Sequence, residues 1–185
     1  DVVKICKNKK IPINLEISLN KAILKIALKN KPNFICLVPE NRKEITTEGG
    51  LDISKNKDLI KNIILRFKDR NIRTSLFIDP NLKHIKIAKT LNVDCIELHT
   101  GKISNLIKKN KPYINELKKI KKSCSLAKKF GLEVHAGHGL DYKSTKILSK
   151  IKEIKEFNIG HFVIGESIFY GLKKTIKKLK IISNK

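Results

Sequence analysis

NIRTSLFIDPNLKHIKIAKTLNVDCIELHTG, residues 71–101, contains two short apolar runs, Thr74 to Ile78 and Cys95 to Leu98, separated by a longer lysine-studded segment. Short, nearly continuous apolar runs are what strands covered on both faces of a parallel sheet require. Parallel neighbours also need a crossover of about this length between them. The same alternation extends in both directions, with further strand candidates at Ile13 to Ile17, Phe34 to Val38, Leu132 to Ala136 and Ile159 to Ile164. Between the runs lie helical patterns. Ile114, Leu117, Ile120, Cys124 and Ala127 recur at three- and four-residue steps, as do Leu172, Ile176 and Leu179. Leu59, Ile60, Ile63, Ile64 and Phe67 form a wider stripe. Most lysines fall between these positions, which makes the basic stretches solvated outer faces of helices. The pattern predicts one parallel α/β domain over residues 1–185. Six units are visible, and the chain opens in what reads as the end of a helix. An open doubly wound sheet can stop at six strands, whereas a closed barrel needs eight; the pattern is compatible with either.

The composition narrows the class of function. The formal charge is +24, but of 41 basic residues only Arg42, Arg66, Arg70 and Arg73 are arginine, and Ile and Asn are also abundant. Lys, Ile and Asn rising together while Arg is scarce is the mark of an A+T-rich coding sequence. Specific nucleic-acid sites favour Arg and stacking aromatics; here aromatics total 5% and Trp is absent. The expectation is no specific nucleic-acid partner. Cys6, Cys36, Cys95 and Cys124 form no C-x-x-C pair, and Cys36 and Cys95 sit inside apolar runs, where a reduced core thiol is expected. No stretch approaches the ~20 apolar residues of a membrane span, and DVVKICKNKK has no apolar signal core. A cytoplasmic protein with no membrane partner is expected.

Polar groups stand where the strands end: Asn14 and Glu16 in PINLEIS, Glu40, Thr46, Thr47 and Glu48 after CLVP, Asp79 after SLFI, and Glu97, His99 and Thr100 in CIELHTG. His135 and His138 follow in EVHAGHGL, and His161 in NIGH. In parallel α/β folds ligands bind at the carboxyl ends of the strands, so these residues predict one acidic and histidine-rich site. Glu16, inside an apolar strand, is expected to have its ionised form disfavoured by burial, as a general base requires, or else to be a structural carboxylate. Glu97 reads the same way. His138 lies between Gly137 and Gly139, glycines that let backbone approach a ligand; a proton donor and a structural turn histidine both fit. His84, in HIKIAK, reads as a surface residue. Gly160, His161 and Gly165, just before the last helix, mark a place where barrels hold phosphate on backbone N–H groups. His135-x-x-His138 with His99 and His161 could also gather a metal, although residues three apart on a strand point to opposite faces.

Taken together, IPINLEIS, CLVPENRKEITTEGGLDI, TSLFID, IELHTG, HAGHGLDY and NIGHFVIG occur in one order and resemble the pyridoxine 5'-phosphate synthase family from Asp1 to about Lys180. The resemblance implies a (β/α)8 TIM barrel, with about two N-terminal β/α units absent from this chain, and therefore an isolated form that is unstable or inactive. It implies condensation of 3-amino-2-oxopropyl phosphate with 1-deoxy-D-xylulose 5-phosphate to give pyridoxine 5'-phosphate, inorganic phosphate and water, with no metal or organic cofactor and a homo-oligomeric assembly. By the same resemblance Glu16 is the acid/base glutamate, His138 the proton donor and Glu97 a glutamate that stabilises the transition state. Thr46 contacts the deoxyxylulose phosphate, while Gly139, Gly160 and His161 contact the aminooxopropyl phosphate. Two positions depart from the family: His135 stands where it usually has Asn, and Glu166 where it often has Arg. The other readings that stay open are an inactive partial relic of that enzyme, a basic nucleic-acid-binding protein and a histidine-metal hydrolase.

Overall fold

The computed structural model describes residues 1–7, 10–40 and 49–183. In chain order the elements are α1 (Val2–Lys7), β1 (Asn14–Ile17), α2 (Lys21–Asn30), β2 (Phe34–Leu37), α3 (Lys57–Lys68), β3 (Arg73–Ile78), α4 (Leu82–Thr90) and β4 (Cys95–His99). There follow α5 (Gly101–Lys108), α6 (Ile114–Lys129), β5 (Glu133–Gly137), α7 (Tyr142–Leu148), β6 (Ile154–Asn158), α8 (His161–Tyr170) and α9 (Leu172–Ser183). The six strands form one sheet in the order β1 to β6, every neighbouring pair parallel. Sequence order and spatial order coincide, as they do when each crossover helix returns the chain to the same edge of a growing sheet.

Local chemistry sets the turns. Asn20 accepts hydrogen bonds from the backbone N–H of Ala22 and Ile23 at the start of α2, and Asn81 accepts from Lys83 at the start of α4. After α3, α4, α5 and α6 the chain leaves the helix through a left-handed residue: Asn71, Asn92, Asn110 and Gly131. Asn tolerates that conformation better than other side chains with a Cβ, so the abundant asparagines serve the fold.

The strands are not apolar on both faces, contrary to the expectation above. Ile35, Leu37, Leu76, Ile78, Ile96, Leu98, Val134 and Ala136 turn toward the helices and join a core built with Ile60, Ile64 and Phe67. The alternate residues, Glu16, Cys36, Ser75, Cys95, Glu97, His135 and Asn158, interact with one another on the concave side. Glu97 on β4 reaches Cys36 on β2 at 3.7 Å and Asn158 on β6 at 2.6 Å, in each case across an intervening strand. Strands two apart in a flat sheet are separated by roughly 10 Å, so these contacts mark a tightly curled sheet, a half-barrel with helices outside. Among the described residues no further strand pairs with the outer edge of β1 or β6.

The sixth strand corrects the sequence reading. The run Ile159 to Ile164 is not a strand; the strand is Ile154–Asn158, and the apolar HFVI begins α8. Gly160 and His161 therefore lie at a strand-to-helix junction, with Gly160 as the residue preceding the helix. No residue of α8 is buried, and Ile164, Ile168 and Phe169 are exposed.

Candidate active site

The carboxyl ends of the strands surround a cleft of about 750 Å³ whose lining includes Glu16, Glu97, His138, Gly139, Gly160 and His161. The structure thus brings together six of the seven residues to which the family resemblance gives a role; Thr46 lies outside the described residues.

Two motifs interlock to set the position of His138. Thr100, fully buried, donates its hydroxyl to the carbonyls of Gly137 at 2.7 Å and His138 at 2.9 Å, and its N–H to Gly137 at 2.8 Å. Gly101 and Gly139 pack backbone to backbone: a Cβ on Gly139 would lie 3.1 Å from the Gly101 Cα. This clamp holds His138 at a φ of 75°, a left-handed conformation that costs a residue with a Cβ on the order of 1 kcal/mol or more. The outlier sits at the mouth of the cleft, with its ring 4.9 Å from that of His99 and 6.3 Å from Phe77. Burial, and then the charges of His99 and His161, hold the His138 imidazolium below its ordinary pKa.

Glu97 is the buried carboxyl of the site, 4% exposed. One oxygen accepts from Asn158 Nδ2 at 2.6 Å and from the Cys36 thiol at 3.7 Å. Burial pushes its pKa up to about 7, with the negative charges of Glu16 and Glu156 adding to the rise and the two hydrogen bonds opposing it. Burial and the charge of Glu97 in turn push the Cys36 thiol well above its ordinary range. Gly137 has no room for a side chain because a Cβ there would run into Glu97 Oε1. Glu16, expected to be buried either as a general base or as a structural carboxylate, is exposed instead. It stands on the edge strand β1, where nothing among the described residues covers it from the outer side.

Histidines read from the sequence as one possible metal cluster are divided in two. His135 turns away to the amino-terminal half of the concave face, with Nε2 2.8 Å from Glu133 and Nδ1 3.7 Å from Glu156. Donor atoms of Cys95, Glu133 and His135 all lie within 4.8 Å of one another. The Arg73 guanidinium, 3.2 Å from both Cys95 Sγ and Glu133 Oε2, already supplies a cation to that group. His84, read as a surface residue, is half-buried. Asn158, which donates to Glu97 from the end of β6, is a further site residue beyond those expected from the sequence. Its signal was its place at the end of a strand, hidden by setting that strand five residues too late.

Comparison with other proteins agrees with this architecture. Solved structures that share the fold include the tryptophan synthase A-subunit from the hyperthermophile Pyrococcus furiosus, with a TM-score of 0.63 at 17% identity over 100% of this chain and 71% of that one. Another is a xylose isomerase domain protein from Planctomyces limnophilus, with a TM-score of 0.56 at 11% identity over 92% of this chain and 71% of that one. Closer in sequence is the pyridoxine 5'-phosphate synthase of Pelagibacter ubique (strain HTCC1062), 72% identical over 185 residues, which are 100% of this chain and 77% of the relative. The pyridoxine 5'-phosphate synthase of Zymomonas mobilis is 44% identical over 182 residues, 98% of this chain and 70% of the relative. The family model described as "Pyridoxal phosphate biosynthesis protein PdxJ" matches residues 1–185. On these matches the chain belongs to the PdxJ family of pyridoxal phosphate biosynthesis proteins.

Proposed function

We propose that this chain carries the pyridoxine 5'-phosphate synthase reaction, joining 3-amino-2-oxopropyl phosphate to 1-deoxy-D-xylulose 5-phosphate with loss of inorganic phosphate and water. The observation that supports it most is the meeting, in one cleft, of a buried carboxyl that titrates near neutrality with a histidine on a glycine-flanked turn. The reaction needs an amine to add to a ketone, protons to leave carbon, an anion to depart and water to be lost as the ring becomes aromatic. Every one of these steps moves a proton or releases charge, and groups that titrate near the working pH contribute typically ~10²- to 10⁴-fold each.

In this scheme Glu16, open to the cleft, takes and returns carbon-bound protons, and His138 gives a proton to the leaving oxygen. Glu97 in its ionised form offsets the positive charge of a protonated imine. Gly139, Gly160 and His161 hold the aminooxopropyl phosphate, whose anionic end suits the free N–H groups at the start of α8, and Thr46 holds the deoxyxylulose phosphate. The residues named act as acids, bases and hydrogen-bond donors, without a metal or organic cofactor. The six-strand sheet is read as part of a (β/α)8 barrel in a cytoplasmic homo-oligomer. The two sheet edges left unpaired among the described residues support the closed barrel, because exposed edges of a buried parallel sheet are liabilities that closure removes.

The test is formation of pyridoxine 5'-phosphate from the two phosphorylated substrates. The chain alone is compared with the chain joined to the portion of the Pelagibacter ubique relative that it does not match. Activity in the joined form, abolished by Glu16→Gln or His138→Asn, is the expected result. Activity in neither form overturns the reading and leaves a relic whose motifs have outlived its chemistry.

A further inference from the structure

Asp79 and His99 have no role in the scheme above, yet both are tied directly into the site. Asp79 follows β3 and His99 ends β4, so the two lie side by side at the carboxyl edge of the sheet. Asp79 Oδ1 is 3.1 Å from His99 Nδ1 and also accepts the backbone N–H of Gly50 at 3.1 Å. The hydrogen bond from His99 is the first cause holding the Asp79 carboxyl below the usual carboxylate range. Asp79 is therefore ionised at neutral pH and can only accept, so His99 carries a proton on Nδ1. In the neutral ring this leaves Nε2 as a bare acceptor.

That acceptor is buried and has no hydrogen-bond partner among the described residues, in a residue only 8% exposed. Leaving a buried polar atom unpaired costs roughly 1–3 kcal/mol, so its position calls for a reason. Nε2 lies over Gly101, where a Cβ would come within 2.7 Å of it and within 2.9 Å of His138 Cδ2. The two imidazoles thus meet across the one residue of α5 that has no side chain, with centroids 4.9 Å apart and planes at 47°. Phe77 closes another side of His99 edge-on at 5.3 Å. Other charged or titratable groups bear on the pair from every side: His84 acts on Asp79, while Glu16, Glu97, Lys108, Asp141 and His161 line the cleft with His138. Among the described residues His99 is the titratable ring in direct contact with the His138 ring.

We propose that His99, oriented by Asp79, is a positioning residue for His138: it fixes that ring over Gly101 and, through its own protonation, sets how readily His138 gives up a proton. The proposal rests on the reading of His138 as the reaction's proton donor. A neutral His99 supports the ring and offers Nε2 as a nearby acceptor. A charged His99 repels a second proton on His138 and makes it the stronger acid. Asp79 also ties this pair to the chain before α3, because the same carboxylate oxygen receives the Gly50 N–H.

The test follows the histidines directly by imidazole ¹⁵N NMR on the joined, full-barrel form used above, in the wild type and in His99→Phe, His99→Asn and Asp79→Asn. Expected are a Nδ1–H tautomer for His99 that Asp79→Asn disrupts, and a His138 midpoint that moves up by about half a unit or more when the like-charged ring is removed. Both His99 variants should show that rise, since neither side chain titrates, and either one suffices if the other fails to fold. In the synthase assay the limb of the kcat profile that reports His138 should move to higher pH by the same amount, with KM changed less than about two-fold because His99 is not among the residues lining the cleft. A His138 midpoint unchanged in a folded His99 variant overturns the proposal, as does a loss of activity that follows stability alone. Should no form make pyridoxine 5'-phosphate, the functional reading fails, and the NMR midpoints still decide whether His99 controls His138.

Discussion

Glu97→Gln separates the ionisation of the buried carboxyl from its shape. Glutamine keeps the length of the side chain and an oxygen to accept from Asn158, removes the charge, and replaces the second oxygen by an NH2 donor. In the folded chain the carboxyl is pushed from 4.5 up to about 7, chiefly by burial; on unfolding it returns to water. A carboxyl with a raised folded pKa favours the fold while it holds its proton. Its contribution is present in full below about pH 4.5 and is lost as the pH rises through about 7. At 1.36 kcal/mol per unit the loss is about 3 kcal/mol, a large share of the 5–15 kcal/mol by which a typical domain is stable. The assay is urea unfolding of wild type and variant at a series of pH values from about 4.5 to about 8, with the difference in unfolding free energy plotted against pH. Carboxylates common to both proteins largely cancel in that difference. The wild type should lose about 3 kcal/mol relative to Glu97→Gln across the range, most of it by about pH 7. A difference that stays flat to within about 0.5 kcal/mol would refute the claim that this group is ionised against burial.

Asn158→Leu removes the N–H that favours the Glu97 carboxylate at 2.6 Å, so the midpoint of Glu97, followed by ¹³C NMR of its carboxyl, should rise above about 7; a downward move would contradict the assigned direction. Gly137→Ala puts a Cβ into Glu97 Oε1, and displacing that carboxyl should lower kcat/KM at least about 10-fold. Wild-type kinetics in a folded Gly137→Ala protein would show that Glu97 need not be held there. Cys36, Cys95 and Cys124 are buried, and their thiols are pushed above the ordinary range, the last two to about 12. A thiol-disulfide reagent at about pH 8 should therefore leave them unmodified in the native chain and react in urea, and fast native labelling of any of the three would count against that burial.

The parallel α/β class and five of the six strands could be read from local pattern because burial against helices imposes apolar residues on every second position, and short runs such as SLFI and CLV carry that signal by themselves. The sixth could not. In IKEFN the concave-face positions are Glu156, exposed and 3.7 Å from His135, and Asn158, which donates to Glu97, so neither adds an apolar residue to the pattern, and the register with β5 shifts between Val134 and His135. The neighbouring FVI is more apolar yet helical; Phe162 and Val163 are half-buried and Ile164 is exposed. The two glutamates make the same point more sharply. LEIS and IELH present almost identical strings, and both were read as strand carboxylates that burial would raise. Glu97 lies on β4, flanked by strands on both sides and reached by Cys36 and Asn158 from across the curl; Glu16 lies on β1, which among the described residues pairs on one side alone. Desolvation depends on what the rest of the sheet places around a residue, which period and composition do not encode. It follows that the exposure of the Glu16 carboxyl should fall with whatever strand is set beside β1, whereas that of Glu97, already enclosed from β2 to β6, should change little. Comparing how fast the two carboxyls couple to a water-soluble carbodiimide in the chain with and without an added neighbour to β1 would read that difference directly.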